Sequence, residues 1–246
     1  MLSGLYYKSM KQVLEKIEET QTEKITDCAK IIADSLCNNG IWHLLDTGHM
    51  LMFEGVGRSG GMMAVRPVNI TVEVNNPIRP RLVTDRKRVY LDEIEGFPEF
   101  VLGKANIVPG DVLMIGSVSG INVLPVEMAI KAREMGVKTI ALTSVEYSSH
   151  LKSCHSSGKR LFEVCEYVLD NCGNVGDTLV EVKKLGKSIC PSSGIAASYI
   201  MWALQSEVVE ELLRRGKEPS VYVSNHIDPT SKINNESWAH YEKFGY

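Results

Sequence analysis

The segment from Gly110 to Ser144 constrains the fold of this chain more than any other part of the sequence. It opens with an apolar run at Val112–Ile115, continues through a loop of small polar residues, and then shows helical spacing up to Gly136. A second apolar run follows at 137–142. Short apolar runs separated by a helix are typical of parallel strands that are buried on both faces. The segment therefore predicts a strand–loop–helix–strand unit, with glycine ending the helix.

The loop of this unit has the composition of an anion-binding site. It contains Ser117, Ser119, Gly120 and Asn122, between the carboxyl end of one predicted strand and the start of a helix. Free backbone N–H groups and the helix dipole favour negative charge at such a place, and serine hydroxyls add donors that a phosphate accepts. The alternative is a loop that only caps the helix, with Asn122 as the N-cap residue.

The rest of the chain extends this unit into a doubly wound α/β fold. A helical pattern at 3–38, interpreted as one long helix or two, precedes the first apolar run, and another long helix is expected at 195–215. Strands that alternate with helices predict a parallel sheet of about five strands in a three-layer arrangement. Further strands are expected at 41–45, 67–74 and 163–169, and the stretch 187–190 is short and apolar. The less regular segments are interpreted as a helix at 50–58, a loop at 75–87, one or two helices at 91–106, a loop at 146–159 and an extended piece at 221–224.

Composition limits the classes of function. The 246 residues carry a net charge of −3 without a broad basic field, so we expect no nucleic-acid partner. No apolar run approaches the roughly 18 residues of a membrane span, so no membrane association is expected. The six cysteines form no C-x-x-C pair and predict reduced thiols in a cytoplasmic protein. Histidines and cysteines lack zinc-like spacing, and we expect neither metal nor cofactor.

The string GVGRSG at 55–60 matches the G-x-G-x-x-G dinucleotide fingerprint. A true fingerprint follows a strand and opens a helix. Here the stretch 62–67 is short and ends at proline, which leaves no room for that helix. We therefore interpret the match as coincidental.

Several strings together resemble one protein family. SVSGIN (117–122) and the helix after it resemble the phosphosugar-binding loop of SIS (sugar isomerase) domains. A single-domain bacterial branch of that superfamily is similar in further strings, although its usual serine after T-G-H is Met50 in this chain. These strings are DTGHM (46–50), E-x-x-x-R-S-G-G (54–61), HSSGKRL (155–161), YVLDN with GNVGD (167–177), PSSGIAA (191–197) and VYVSNHID (221–228).

The resemblance covers nearly the whole chain and implies its organisation. It implies a single SIS domain over 1–246, with a flavodoxin-like, five-stranded parallel sheet. The domain would comprise a helical extension at 1–39, a core at 40–224 and a tail at 225–246. It also implies a homodimer or homotetramer with phosphosugar sites near subunit interfaces. Two small domains remain the alternative at this chain length.

The string at 46–50 and the acid after it are candidates for the reactive end of the site. Thr47, Gly48 and His49 follow a predicted strand, where the imidazole could reach a sugar oxygen; a turn whose histidine bonds to backbone is the alternative. Glu54 and Arg58 would share one helix face, and the alternative for them is an exposed ion pair worth about 0.3–0.5 kcal/mol. The similarity of this spacing to phosphoheptose isomerases, another SIS family, implies that Glu54 is a general base.

Four further residues are candidates for ligand contacts. His155 and Lys159 lie four apart in a predicted loop and could approach a phosphosugar, the alternative being a solvated loop. Ser192 and Ser193 begin the long C-terminal helix, as ligand donors or as a simple N-cap. Glu207 lies within that helix, on a solvated face or as a second acid/base.

The resemblance implies recognition of a phosphorylated sugar or amino sugar. For an enzyme of this type we expect aldose–ketose isomerisation through an enediol, in which Glu54 moves a proton and His49 assists ring opening. One alternative is a non-catalytic phosphosugar sensor. The other is a lyase or etherase that acts on an amino-sugar phosphate, with Glu54 as base.

Overall fold

The fold is built on one parallel sheet of five strands, in a computed structural model that describes residues 1–73, 91, 94 and 96–246. The spatial order is β2-β1-β3-β4-β5, and every neighbouring pair is parallel. This order is the flavodoxin-like one and confirms the predicted fold class. The strands are Trp42–Asp46 (β1), Val65–Pro67 (β2), Val112–Gly116 (β3), Lys138–Thr143 (β4) and Tyr167–Asp170 (β5).

Helices lie on both faces of the sheet. A small antiparallel hairpin, separate from the main sheet, consists of Val180–Val182 (β6) and Lys187–Ile189 (β7), joined by a 3₁₀ turn at Lys183–Leu185. The helices are Leu2–Cys37 (α1), Phe97–Lys104 (α2), Val123–Glu134 (α3), Val145–Ser149 (α4), Leu161–Val164 (α5), Ser193–Arg214 (α6) and Lys232–Phe244 (α7).

Alternate residues of the central strand β3 face two separate apolar cores. Val112 and Met114 belong to the core under α1 and α6, whereas Leu113 and Ile115 belong to the core under α2 and α3. All four side chains are fully buried. A strand that is buried on both faces reads as a continuous apolar run, which is why the sequence predicted β3 correctly.

The N-terminal helix is single and runs parallel to α6. Thr20 and Thr22, where a break was considered, donate their hydroxyl hydrogens to the carbonyls of the preceding turn at 2.6 and 2.5 Å, so the helix continues through them. Three side-chain pairs join α1 to α6, and in each pair the two residues are 181 positions apart in sequence. This constant spacing requires that the two helices run parallel in one register. The pairs are Glu18 with Tyr199, Thr26 with Glu207, and Asp34 with Arg215.

Several predicted elements differ from the structure. The predicted helix at 50–58 is wrong: the segment forms turns and bends, because Gly55 and Gly57 have low helix propensity and Gly57 adopts a φ of 68°. The predicted loop at 146–159 contains α4, and the tail contains α7. The strand expected at 67–74 is observed as the shorter β2, which begins two residues earlier. Residue 74 and the loop expected at 75–87 lie outside the described residues.

Other expectations fall close to the observed elements. The helix expected at 91–106 is observed as α2 within the described part, and the strand expected at 163–169 begins later because α5 precedes it. The piece at 221–224 contributes a single antiparallel bridge between Val221 and Met62. The six cysteines are free thiols. Among the helices that the structure describes, none is long and apolar enough to cross a bilayer.

We expect the packing of α1 on the sheet to contribute strongly to stability. Ile32 is fully buried in the core shared by α1 and α6. Replacing Ile32 with alanine should lower the free energy of unfolding by about 2–5 kcal/mol, because a cavity replaces buried methyl groups. Urea denaturation measures this loss. The Glu23→Ala variant, exposed on the same helix, is the control, and equal stability of the two variants would contradict this packing.

Candidate functional site

The candidate site lies where the direction of strand addition reverses. Strands β1 and β3 are neighbours in space, although β2 and α2 lie between them in sequence. Ligands of open α/β sheets bind at this switch point, beyond the carboxyl ends of the strands. A cavity of about 340 Å³, the site cavity, is found there. It is lined by Asp46, Thr47, Gly48, His49, Met50, Ser117, Val118, Ser119, Asn122, Tyr147, Gly176 and Asp177.

Residues 117–122, the anion loop, present unpaired N–H groups. The N–H groups of residues 118–122 donate no hydrogen bond to any part of the chain that the structure describes. The carbonyl of Val118 accepts from the N–H of Ser144 and the hydroxyl of Thr143, both at 3.0 Å. In a trans peptide the carbonyl and the next N–H point in opposite directions. The bonds to Val118 therefore turn the N–H of Ser119 away from the scaffold.

Glycine is required at position 120 of the anion loop. Gly120 has a φ of 59°, and a Cβ there would lie 3.0 Å from the hydroxyl oxygen of Thr143 and 3.3 Å from Leu161. Both the positive φ and the close approach disfavour any other residue. Gly120 therefore shapes the loop, although it does not line the cavity.

Asn122 occupies the N-cap position of α3 without capping it through its side chain. Its backbone is extended, with φ −69° and ψ 152°, and its side chain makes no capping hydrogen bond within the described helix. The alternative in which the loop only caps the helix through Asn122 is thus not the observed geometry. The exposed amide of Asn122 lines the site cavity instead.

The loop after β1 is held by an aspartate. The carboxylate of Asp46 accepts from the N–H groups of Gly48 at 3.1 Å and Leu51 at 2.7 Å. The hydroxyl of Thr47 donates to the carbonyl of Gly116 at 3.2 Å, which ties this loop to the end of β3. His49 is exposed at the cavity, and Met50 is buried beside it.

A second aspartate holds the start of α6. One carboxylate oxygen of Asp177 accepts from the N–H and the hydroxyl of Ser192, both at 3.0 Å, and from the N–H of Ser193 at 2.9 Å. Its other oxygen accepts from the hydroxyl of Ser193 at 2.6 Å. Both serines are fully buried. Their hydroxyl hydrogens are therefore used within the protein, and Asp177 itself lines the cavity.

The site cavity combines neutral donors with two carboxylates. Among the described residues that line it, none is lysine or arginine. Any anion bound here would depend on N–H groups, hydroxyls and the α3 dipole rather than on an ion pair. Asp46 and Asp177 are acceptors, which suits hydroxyl groups of a ligand.

Glu54 lines a neighbouring space rather than the site cavity. This side cavity, of about 560 Å³, is bordered by residues of the 49–54 segment and of α6, and it shares His49 and Met50 with the site cavity. Glu54 is half exposed, and its carboxylate lies 3.4 Å from the guanidinium of Arg58, which lines neither cavity. The ion pair forms although the predicted helix does not.

Two predicted ligand residues, His155 and Lys159, do not line the site cavity. His155 is buried, and its ring bonds to Glu127 of α3 and to the hydroxyl of Ser157. Lys159 borders a different cavity, together with Arg133 and Glu163. Glu207 accepts from Thr26 at 3.3 Å and so faces α1.

The sequence analysis missed three polar side chains that line the site cavity. Asp46, Tyr147 and Asp177 were not among its candidates. The signal for Asp46 was its position at the end of a strand, directly before Thr47. The signal for Asp177 was the string GNVGD, which contributed to the family resemblance although no role was assigned to its aspartate. In the part of the chain that the structure describes, no cluster of three or more histidine, cysteine or acidic residues could hold a metal.

Comparison with known proteins identifies the family of this chain. The SIS domain family matches residues 5–144. A UPF0309 protein of Shouchella clausii is 33% identical over 225 residues, covering 91% of this chain and 89% of that protein. A UPF0309 protein of Halalkalibacterium halodurans is 32% identical over 241 residues and 97% of each chain. These matches confirm the resemblance seen in the sequence.

A solved structure shares the fold. Phosphoheptose isomerase from Neisseria gonorrhoeae superposes with a TM-score of 0.53 at 15% identity, covering 84% of this chain and 97% of that one. At this low identity the similarity concerns the fold alone.

Removing the Asp177 carboxylate should destabilise the start of α6. In Asp177→Ala, two buried serines lose their acceptor, and we expect the free energy of unfolding to fall by about 2–4 kcal/mol. In Asp177→Asn the amide oxygen can still accept, so the loss should be smaller. Urea unfolding of both variants tests this order. An alanine variant as stable as the wild-type protein would show that the contact does not hold the helix.

Proposed function

Because this chain belongs to the SIS domain family and to the UPF0309 family, we propose that it binds a phosphorylated sugar or amino sugar in the site cavity. The proposal rests on the anion loop, whose run of unpaired N–H groups at 118–122 stands at the start of α3. Phosphate oxygens accept hydrogen bonds from N–H groups at such helix starts. The hydroxyls of Ser117 and Ser119 add two further donors beside them.

The two carboxylates support a polyhydroxyl body for this ligand. A cavity for a bare anion would gain nothing from Asp46 and Asp177, whose negative charges oppose a phosphate. A sugar phosphate offers both partners, because its hydroxyls donate to carboxylates while its phosphate accepts from the anion loop. Each oxygen of Asp46 accepts one internal bond and keeps a further lone pair for a ligand.

Binding should depend on both the phosphate and the anion loop. We expect isothermal titration to show that Ser119→Ala weakens binding of a stabilising sugar phosphate about tenfold, as the loss of one hydrogen bond to a charged group predicts. Ser206→Ala, exposed on α6, is the matched control and should bind normally. The unphosphorylated sugar should bind much more weakly. Equal affinity for the sugar with and without phosphate would contradict this proposal.

A second candidate function is aldose–ketose isomerisation in the same site. It is favoured by His49, which borders both the site cavity and the side cavity that contains Glu54. A sugar phosphate held by the anion loop could extend past His49 toward Glu54. Glu54 would then move a proton between adjacent carbons through an enediol, and His49 would assist ring opening. A lyase or etherase would use the same base.

Isomerisation predicts exchange of a carbon-bound proton with solvent. After incubation of the protein with its best sugar-phosphate ligand in deuterated water, deuterium should appear at carbon, as detected by NMR or mass spectrometry. Glu54→Gln should abolish exchange without loss of binding, because the amide cannot act as base. Glu210→Gln, exposed on α6, is the control and should exchange normally.

Two other results of this experiment would support the alternative functions. Binding of the sugar phosphate without deuterium exchange in the wild-type protein would indicate a phosphosugar sensor. A product that has lost a substituent would indicate the lyase or etherase.

We also propose that the protein is a cytoplasmic homodimer or homotetramer. Apolar side chains at the mouth of the side cavity support association, since Phe53, Ile195 and Tyr199 are exposed there. Contiguous exposed apolar surface is one mark of a protein–protein contact.

A further inference from the structure

The outer half of the anion loop is held by a second segment, residues 153–161. The N–H of Cys154 donates to the carbonyl of Ile121 at 2.9 Å, and the N–H of Leu161 donates to the carbonyl of Gly120 at 2.8 Å. The peptide bonds here are trans, so each bound carbonyl directs the following N–H the opposite way. These two bonds therefore aim the N–H groups of Ile121 and Asn122 away from the segment.

His155 is the centre of the hydrogen bonds within this segment. Its backbone N–H donates to the hydroxyl of Ser153 at 3.0 Å, and that hydroxyl donates to the carbonyl of Lys159 at 2.7 Å. Its backbone carbonyl accepts from Gly158 at 2.9 Å. The ring nitrogen Nδ1 accepts from the N–H of Ser157 at 3.1 Å. The segment is thus folded around His155, through its backbone and its buried imidazole.

The other ring nitrogen attaches the segment to α3. Because Nδ1 accepts a hydrogen bond, the neutral ring carries its proton on Nε2. Nε2 is in hydrogen-bond contact with a carboxylate oxygen of Glu127, whose other oxygen lies 3.9 Å from Lys131. Glu127 lies in the second turn of α3, the helix that follows the anion loop directly. The contact closes a ring from the loop through α3, Glu127 and His155 back to Ile121.

We propose that His155 is a positioning residue for phosphate binding, acting through Glu127 to hold the anion loop in its binding conformation. The imidazole does not line the site cavity. It holds the N–H of Cys154 in its hydrogen bond to the carbonyl of Ile121. That bond in turn sets the direction of the N–H of Asn122. The inference rests on the proposed phosphosugar site and explains how a segment outside the cavity affects affinity.

The test compares variants of the His155–Glu127 contact. His155→Ala and Glu127→Ala remove it, whereas Glu127→Gln keeps an oxygen that accepts from Nε2. Glu134→Ala, exposed on the same helix, is the matched control. Titration with inorganic phosphate should show about tenfold weaker binding for the two disrupted variants and wild-type affinity for Glu127→Gln and Glu134→Ala. Removing both partners should weaken binding no further than removing one, because they share one contact.

Order parameters from ¹⁵N relaxation, measured without ligand, supply a readout that general destabilisation does not. For the N–H groups of Ile121 and Asn122 they should fall from about 0.85 to below about 0.6 in the disrupted variants, and stay high in the other two. Unchanged phosphate affinity in both alanine variants, or unchanged order parameters, would overturn the inference. If the wild-type protein binds neither inorganic phosphate nor a sugar phosphate, the proposed function fails, while the order parameters still decide whether the contact orders the loop.

Discussion

The candidate site depends on the hydrogen bonds that hold the carbonyl groups of the anion loop. Those of Val118, Gly120 and Ile121 each accept a hydrogen bond from scaffold groups of residues 143–161. A peptide unit has one donor and one acceptor pointing in opposite directions. Binding the acceptors on one side therefore leaves the donors available on the other. In the proposed anion site these N–H groups are therefore preorganised and would not need to be reoriented by a ligand.

The sheet brings the second part of the site beside this loop. The order of the strands places the end of β1 next to the end of β3, so the residues at 46–50 and 117–122 border one cavity. Asp177 completes it from the chain that leads into α6, and its carboxylate also anchors that helix. The parallel helices α1 and α6 pack on the sheet and are joined by side-chain pairs at one constant sequence separation. This packing stabilises the scaffold behind the site.

Local patterns predicted the parts of the molecule that depend on local interactions. The strand expected at 112–115, observed as Val112–Gly116, and the loop after it were predicted because burial on both faces and small hydroxyl residues leave a clear pattern in the sequence. The helix expected at 50–58 was wrong, since helical spacing of apolar residues did not outweigh two glycines. Asp177 was missed because its partners lie 15 and 16 residues later, at a distance that no local rule covers. The ring contact of His155 with Glu127, 28 residues away, belongs to the same class.

The central claim, that the backbone of residues 118–122 binds the phosphate of a sugar phosphate, is tested most directly by a crystal structure of the complex. Crystals grown with the sugar phosphate that most raises thermal stability should show the phosphate beside the start of α3. Its oxygens should lie about 3 Å from the N–H nitrogens of Ser119, Ile121 and Asn122, the usual length of such hydrogen bonds. A ligand whose phosphate lies among lysine and arginine side chains elsewhere, with the anion loop empty, would contradict the account.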